Sequence, residues 1–239
     1  MQCVQITPMY TPKQTFPTIV HANGRGRNYP TWKVMASRFY ELTYSIPDSV
    51  DLILYNNNQT RGILQFQLEQ NKTSYTNIAT KDYFHFMKIP PRVVAFARQS
   101  TKPYILYVDC YDALLCGDLQ TGIDLMAQLD VDILFSAEHE KGGQRGRLKK
   151  HQMEWILKEE AARYFPPLSH LNGGVWIAKR EKAISFFTQV VEKYKHNHIR
   201  SNQLNARLIS LQDPRSTIDT SGTFAVSIKY MSTGDLLLV

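Results

Sequence analysis

Two aspartates three residues apart, Asp109 and Asp112, stand at the end of Tyr104-Ile105-Leu106-Tyr107-Val108, an uninterrupted run of apolar and aromatic residues. Such a run reads as a strand covered on both faces. Where it ends, a mostly parallel sheet opens its C-terminal edge, the place where these sheets hold ligands. Two carboxylates there offer hard oxygen donors to a divalent cation of the Mg²⁺ or Mn²⁺ kind, which in turn suits a phosphorylated substrate. A plainer role fits the same residues: Asp112 capping a helix that begins near Ala113, and Asp109 closing a turn. The pair alone leaves both open.

Three other segments place polar residues beside predicted strands. Thr18-Ile19-Val20-His21-Ala22 is a short β-type run that breaks at Asn23-Gly24-Arg25-Gly26-Arg27-Asn28-Tyr29-Pro30, a loop by its glycines, arginines and proline. A strand over Asp132–Glu138 opens into Lys141–Lys150, a basic, glycine-rich loop that includes Arg145 and Arg147. His170-Leu171-Asn172-Gly173-Gly174 reads as a loop entering a strand that runs to Ala178. The basic residues Arg25, Arg27, Arg145, Arg147, Lys149 and Lys150 make two loops that can fold over a diphosphate or track the phosphates of a nucleic acid. Solvated surface charge is the commoner fate of any one of them.

The elements that must position these residues follow from pattern. Helices are predicted over Thr31–Thr43, Arg61–Gln70, Leu119–Leu129, Gln152–Tyr164, Arg180–Lys195 and Asn202–Ser210. A helical stretch over Lys81–Gln99 is broken by Pro90-Pro91, which can only start a new helix. Further strands are predicted over Val50–Tyr55, Ser74–Ala79 and Thr223–Lys229, with Leu236–Val239 a last strand or a docked tail. Alternation of strand and helix without internal repeats predicts an α/β fold with a mostly parallel central sheet.

The chain has 239 residues, 43% of them hydrophobic, enough for one sizeable core, so a single domain over 1–239 is expected. No run approaches the roughly 18 apolar residues of a membrane span. Met1–Tyr10 has neither a basic start nor an apolar core, so no secretory signal is expected. Three cysteines, Cys3, Cys110 and Cys116, have no metal spacing, and a reduced, cytoplasmic setting is the simpler expectation. The net charge of +7 and pI near 9.2 favour an anionic partner.

Three motifs then occur in one order: Val108-Asp109-Cys110-Tyr111-Asp112, Phe135-Ser136-Ala137-Glu138 and Leu171-Asn172-Gly173-Gly174. Together they resemble glycosyltransferases of the GT-A (Rossmann-like) fold, and among these the glycosyltransferase domain of the procollagen lysyl hydroxylases. That family has a strand ending in Val-Asp-Ser-Tyr-Asp, a Phe-Ser-Ala-Glu segment and Leu-Asn-Ser-Gly-Gly. Its His-Gly-Asn-Gly element with a downstream Asn-Tyr resembles Val20-His21-Ala22-Asn23-Gly24 and Asn28-Tyr29. The resemblance covers about Tyr104–Ala178. The chain departs from it in three places. The histidine element comes first here and late in the family, which implies a permuted order. Ser201-Asn202-Gln203 stands where the family has Asp-Asp-Gln, and the basic loop replaces a Cys-Trp-Pro segment.

The resemblance implies a retaining transferase that moves a hexosyl or pentosyl group from a nucleotide-diphosphate donor, a UDP-sugar, to a hydroxyl. Asp109, Asp112 and His21 would hold Mn²⁺ or Mg²⁺, with Mn²⁺ the better match to a histidine. Asn23, Gly24, Asp109, Tyr111, Gly173, Gly174, Arg145 and Arg147 would bind the donor. Asn172 would hydrogen-bond donor or acceptor, with Gln203 and Asp219 as further catalytic candidates. The acceptor implied by the family is a hydroxylysine on a protein. The positive charge instead fits DNA carrying a hydroxymethylated base, which would have to leave the stack. A rival reading is a basic nucleic-acid-binding module with no catalysis, which would bind DNA or RNA without any metal-dependent affinity for nucleotide-sugars.

Overall fold

Consecutive side chains of a strand point to opposite faces, so an apolar run without alternation needs cover on both sides. The computed structural model of the chain describes residues 6–8, 17–22, 27–28, 30–57, 60–79, 86–139, 150–164, 168–197, 199–227 and 236–238. It shows that cover for β5 (Tyr104–Val108). Ile105 and Tyr107 enter one apolar cluster with Val93 and Ala97 of α3 (Ile89–Gln99) and Phe186 and Val190 of α6 (Arg180–Asn197). Leu106 and Val108 enter another with Leu64 and Leu68 of α2 (Ile63–Gln70) and Ile123 and Met126 of α4 (Gln120–Gln128). Helices thus lie on both faces of the sheet, as the strand–helix alternation predicts.

Among the described residues the main sheet has nine strands. Their order is β4 (Thr76–Asn77), β3 (Val50–Leu54), β5, β8 (Leu168–Lys179), β7 (Ile133–His139), β10 (Ala225–Ser227), β2 (Ile19–His21) and β6 (Ala113–Leu115). The ninth, β9 (Ser216–Asp219), lies beside the start of β7, so one edge of β7 is shared by β9 along Ile133–Ser136 and by β10 at Ala137. The sheet is curled and mostly parallel. Only β8, against β5 and β7, and β6, against β2, run antiparallel within it. Backbone pairing of β1 (Ile6–Pro8) with β11 (Leu236–Leu238) forms a separate two-stranded sheet. The remaining helices are α1 (Pro30–Ser37), α5 (Lys150–Arg163) and α7 (Asn202–Ser210).

Three expectations need correcting. The helix read over Thr31–Thr43 ends at Ser37, and a separate 3-10 turn, Phe39–Glu41, follows it, held by Arg38 to Glu41. No helix starts at Ala113: Ala113–Leu115 is a strand, fully buried and paired with β2, so Asp112 is not a helix cap. His170–Gly174 is not a loop, because β8 begins at Leu168 and carries those residues within the sheet. Pro90 and Pro91 do open α3, where the missing N–H groups cost nothing.

Candidate metal centre

The end of β5 and the start of β6 are joined by the turn that holds both aspartates. Its conformation is fixed from three sides by the backbone. Asp109 N–H donates to Gly174 C=O of β8 at 2.8 Å, and Ala22 N–H donates to Asp112 C=O at 2.6 Å. Leu64 N–H, in the first turn of α2, donates to Cys110 C=O at 3.1 Å. Gly62, just before that helix, has to lack a side chain, because a Cβ would lie 2.1 Å from the same carbonyl oxygen. Because β6 pairs antiparallel with β2, with His21 opposite Ala113, the residue after Asp112 lies beside the histidine. Sheet pairing therefore brings together groups that are 88 residues apart in the chain.

His21 Nε2 lies 3.5 Å from Asp109 Oδ2 and 3.3 Å from Asp112 Oδ1. Donor atoms of the three residues all fall within 4.8 Å of one another. The imidazole is 1% exposed, and neither of its nitrogens has a hydrogen-bond partner among the described residues. Leaving such a group buried and unbonded is costly. A cation between these groups would remove that cost. Donors about 2.1 Å from one octahedral ion stand roughly 3 Å apart, close to the separations seen here. One nitrogen with two carboxylates suits first-row ions such as Mn²⁺, and Mg²⁺ less well; Ca²⁺ prefers oxygen alone. A proton on the imidazole meets the same two carboxylates, and a bound cation would have to replace it. Burial opposes charge on His21, yet Asp109 and Asp112 outweigh it and raise the imidazole pKa to about 10.

Gly174 gives the site its room. A Cβ there would lie 2.4 Å from His21 Cε1, 2.5 Å from Asp109 Oδ2 and 3.0 Å from Asn172 Oδ1, so these three groups surround one point. The same argument does not hold at Gly173, where a Cβ would meet Gln203 at an ordinary 3.5 Å.

Asn172 is buried at the edge of this space with both ends of its amide engaged. Nδ2 donates to Glu138 Oε1 at 2.7 Å, and Oδ1 accepts from Gly174 N–H at 2.7 Å. Gln203 of α7 donates to the same Glu138 oxygen at 2.9 Å and to Leu171 C=O at 3.0 Å. Asn172 and Gln203 are thus brought together, as the sequence reading expects, but through Glu138, a residue to which that reading gives no role. Glu160 of α5 braces the same strand: it accepts from Arg207 Nε at 2.8 Å and pairs with His170 Nδ1 at 2.9 Å, all three buried.

The other candidates divide. The Tyr111 hydroxyl donates to Asn56 Oδ1, and Asn56 Nδ2 donates to Gln65 Oε1 of α2 at 2.5 Å, so Tyr111 is tied to the end of β3. Exposed Arg27 places Nε 3.8 Å from Asp112 Oδ2. Asp219 is taken up elsewhere. Its carboxylate accepts from Phe224 and Ala225 N–H at 2.7 and 3.0 Å and from Ser221, closing the turn between β9 and β10. Burial still pushes its pKa above the usual carboxylate range. Asn23, Gly24, Arg25, Arg145, Arg147 and Lys149 lie outside the described residues, as does the side chain of Lys150.

The Tyr107 hydroxyl, absent from the sequence reading, donates to Asp109 Oδ1 at 3.0 Å. Tyrosine two residues before the aspartate on one strand is the signal that could have found it. Among the described residues no helix is long and apolar enough to cross a membrane. Neither a family model nor a curated protein matches this chain. Among solved structures, A197 from STIV matches with a TM-score of 0.38 and 12% identity, over 72% of this chain and 82% of that chain.

Proposed function

We propose that this protein is a metal-dependent glycosyltransferase of the GT-A type, transferring a sugar from a nucleotide-diphosphate donor, a UDP-sugar, to a hydroxyl acceptor. The observation that carries this reading is the convergence of Asp109 and Asp112 on His21, a buried imidazole without a hydrogen bond, at the C-terminal edge of an α/β sheet. The three residues would hold Mn²⁺ or Mg²⁺, which when bound supplies neutralisation of the charge that gathers on a diphosphate leaving group. In the transfer, the bond from the anomeric carbon to the diphosphate breaks. A bond to the acceptor oxygen forms, the bonding pair leaves with the diphosphate, and the hydroxyl proton passes to that leaving group or to water.

The chain's own residues set the stage for that exchange. Gly174 leaves the space next to the aspartates open, and Glu138 holds Asn172 at its border. Arg27 adds positive charge beside Asp112, at the mouth where a phosphate would arrive. The net charge of +7 favours a polyanionic acceptor, DNA with a hydroxymethylated base, over a protein hydroxylysine. Affinity for duplex DNA that falls steeply with salt supports that acceptor. The same weak affinity at every salt concentration removes it.

The direct test is hydrolysis or transfer from a panel of nucleotide-sugars with and without Mn²⁺. Activity should require the metal and should fall by at least about a hundredfold in Asp109→Ala. Undiminished turnover in that variant contradicts the reading.

A further inference from the structure

Asp109 has two carboxylate oxygens, and their surroundings differ. Oδ2 lies 3.5 Å from His21 Nε2, whereas Oδ1 accepts the 3.0 Å hydrogen bond from Tyr107. The phenol is held firmly. Tyr107 is 2% exposed, and its ring stacks on that of its cross-strand neighbour Trp176 with centroids 5.6 Å apart and planes 7° from parallel. Trp176 packs on Phe187 at 4.6 Å, and Phe187 on Phe186 at 5.4 Å, both from α6. A column of core aromatic rings therefore ends in one O–H aimed at one oxygen of one aspartate.

We infer that Tyr107 is a positioning residue that makes Asp109 a one-oxygen metal ligand, and that it thereby selects a small octahedral cation over Ca²⁺. The inference rests on the metal reading of the site given above. An oxygen that already holds a phenol proton is the poorer donor to a cation, which leaves Oδ2, the oxygen facing His21. Ca²⁺ fills its six to eight positions with the help of carboxylates that lend both oxygens, whereas Mg²⁺ and ions of similar size take one from each. Committing Oδ1 to Tyr107 withholds the second oxygen from Ca²⁺ and costs the smaller ion nothing.

The experiment is a Mn²⁺ titration of the purified chain, with free Mn²⁺ read by electron paramagnetic resonance and Ca²⁺ added as competitor. Wild type should keep Mn²⁺ against roughly a hundredfold excess of Ca²⁺. Tyr107→Phe keeps the ring and its stack but loses the hydroxyl. It should bind Mn²⁺ roughly ten- to a hundredfold more weakly and yield it to a smaller excess of Ca²⁺. A wild-type affinity and a wild-type Ca²⁺ competition in Tyr107→Phe overturn the role of Tyr107 and leave the metal site standing. Should that variant fail to fold, the wild-type competition can still overturn the inference, because Ca²⁺ binding as tightly as Mn²⁺ removes the selectivity. Wild type that binds neither ion removes the metal site and this inference with it.

Discussion

At the scale of single residues, the site depends as much on an absent side chain as on those present. Gly174 sits where a methyl group would contact His21, Asp109 and Asn172 together, and two of those contacts would be at 2.4 and 2.5 Å. All three neighbours are side chains, so a Gly174→Ala protein can fold by pushing them aside. It should lose roughly 1–3 kcal/mol of stability and bind Mn²⁺ at least about tenfold more weakly. Urea unfolding and metal titration measure the two effects separately, and a variant with unchanged metal affinity refutes the crowding argument. The sequence is most explicit about the aspartates, because an apolar run that stops at two acids marks a strand end without any tertiary knowledge. His21 is reached only through the motif resemblance, since a lone histidine at the end of a short strand says nothing about its neighbours. Asn172 shows the limit of such reading. Its type and its glycine neighbours mark it, but its amide is spent on Glu138 and Gly174, a fact set by the register between β7 and β8.

At the scale of elements, most helices and strands follow from periodicity, and two of the failures share one cause. Ala113–Leu115 is too short to show a period, so only its pairing with β2 makes it a strand. β8 runs back through His170–Gly174 against two glycines because β7 pairs along it, with register shifts on either side of Ser136–Glu138. Tertiary pairing overrides local propensity in both. The edge of the sheet away from the metal site shows how its strands are held in register. Asp132, just before β7, accepts two hydrogen bonds of 3.0 Å from Arg215, just before β9, and pairs with Lys179 at the end of β8 at 2.7 Å. The Arg215 hydrogen bonds, and then Lys179, hold the Asp132 carboxyl well below its ordinary pKa of 3.8. A depressed acid pKa stabilises the fold above the unfolded value, and that contribution fades as the pH falls through the folded one. Asp132→Asn should therefore lower the urea midpoint by a constant amount between about pH 5 and 8, and the gap should close as the pH falls below about 4. Partial exposure of all three groups keeps the effect small. A gap that persists in acid would mean that the asparagine acts through packing.

At the scale of the whole molecule, the decisive feature is the place of β2. It is a short strand from early in the chain, yet it lies inside the sheet between β10 and β6, with Ile19, Val20 and His21 all buried. Strand order of this kind cannot be read from periodicity, because each strand's own pattern says only that it is buried. The consequence is that the three groups of the candidate metal site belong to two segments that meet only in the folded sheet. An unfolded chain offers no such group, so a divalent ion held by these residues would bind the native state alone and would stabilise it by mass action. At a free concentration about a hundred times its Kd, such an ion would add about 2.7 kcal/mol. For a chain of 239 residues that corresponds to a rise in melting temperature of roughly 5–11 °C. Differential scanning calorimetry with Mn²⁺ should show this rise, and a chelator should abolish it. Asp109→Asn should melt at one temperature with or without the ion. If the wild-type melting temperature does not respond to Mn²⁺, Mg²⁺ or any other small divalent ion, the three residues are a buried ion cluster and not a metal site, and the case for a metal-dependent transferase loses its foundation.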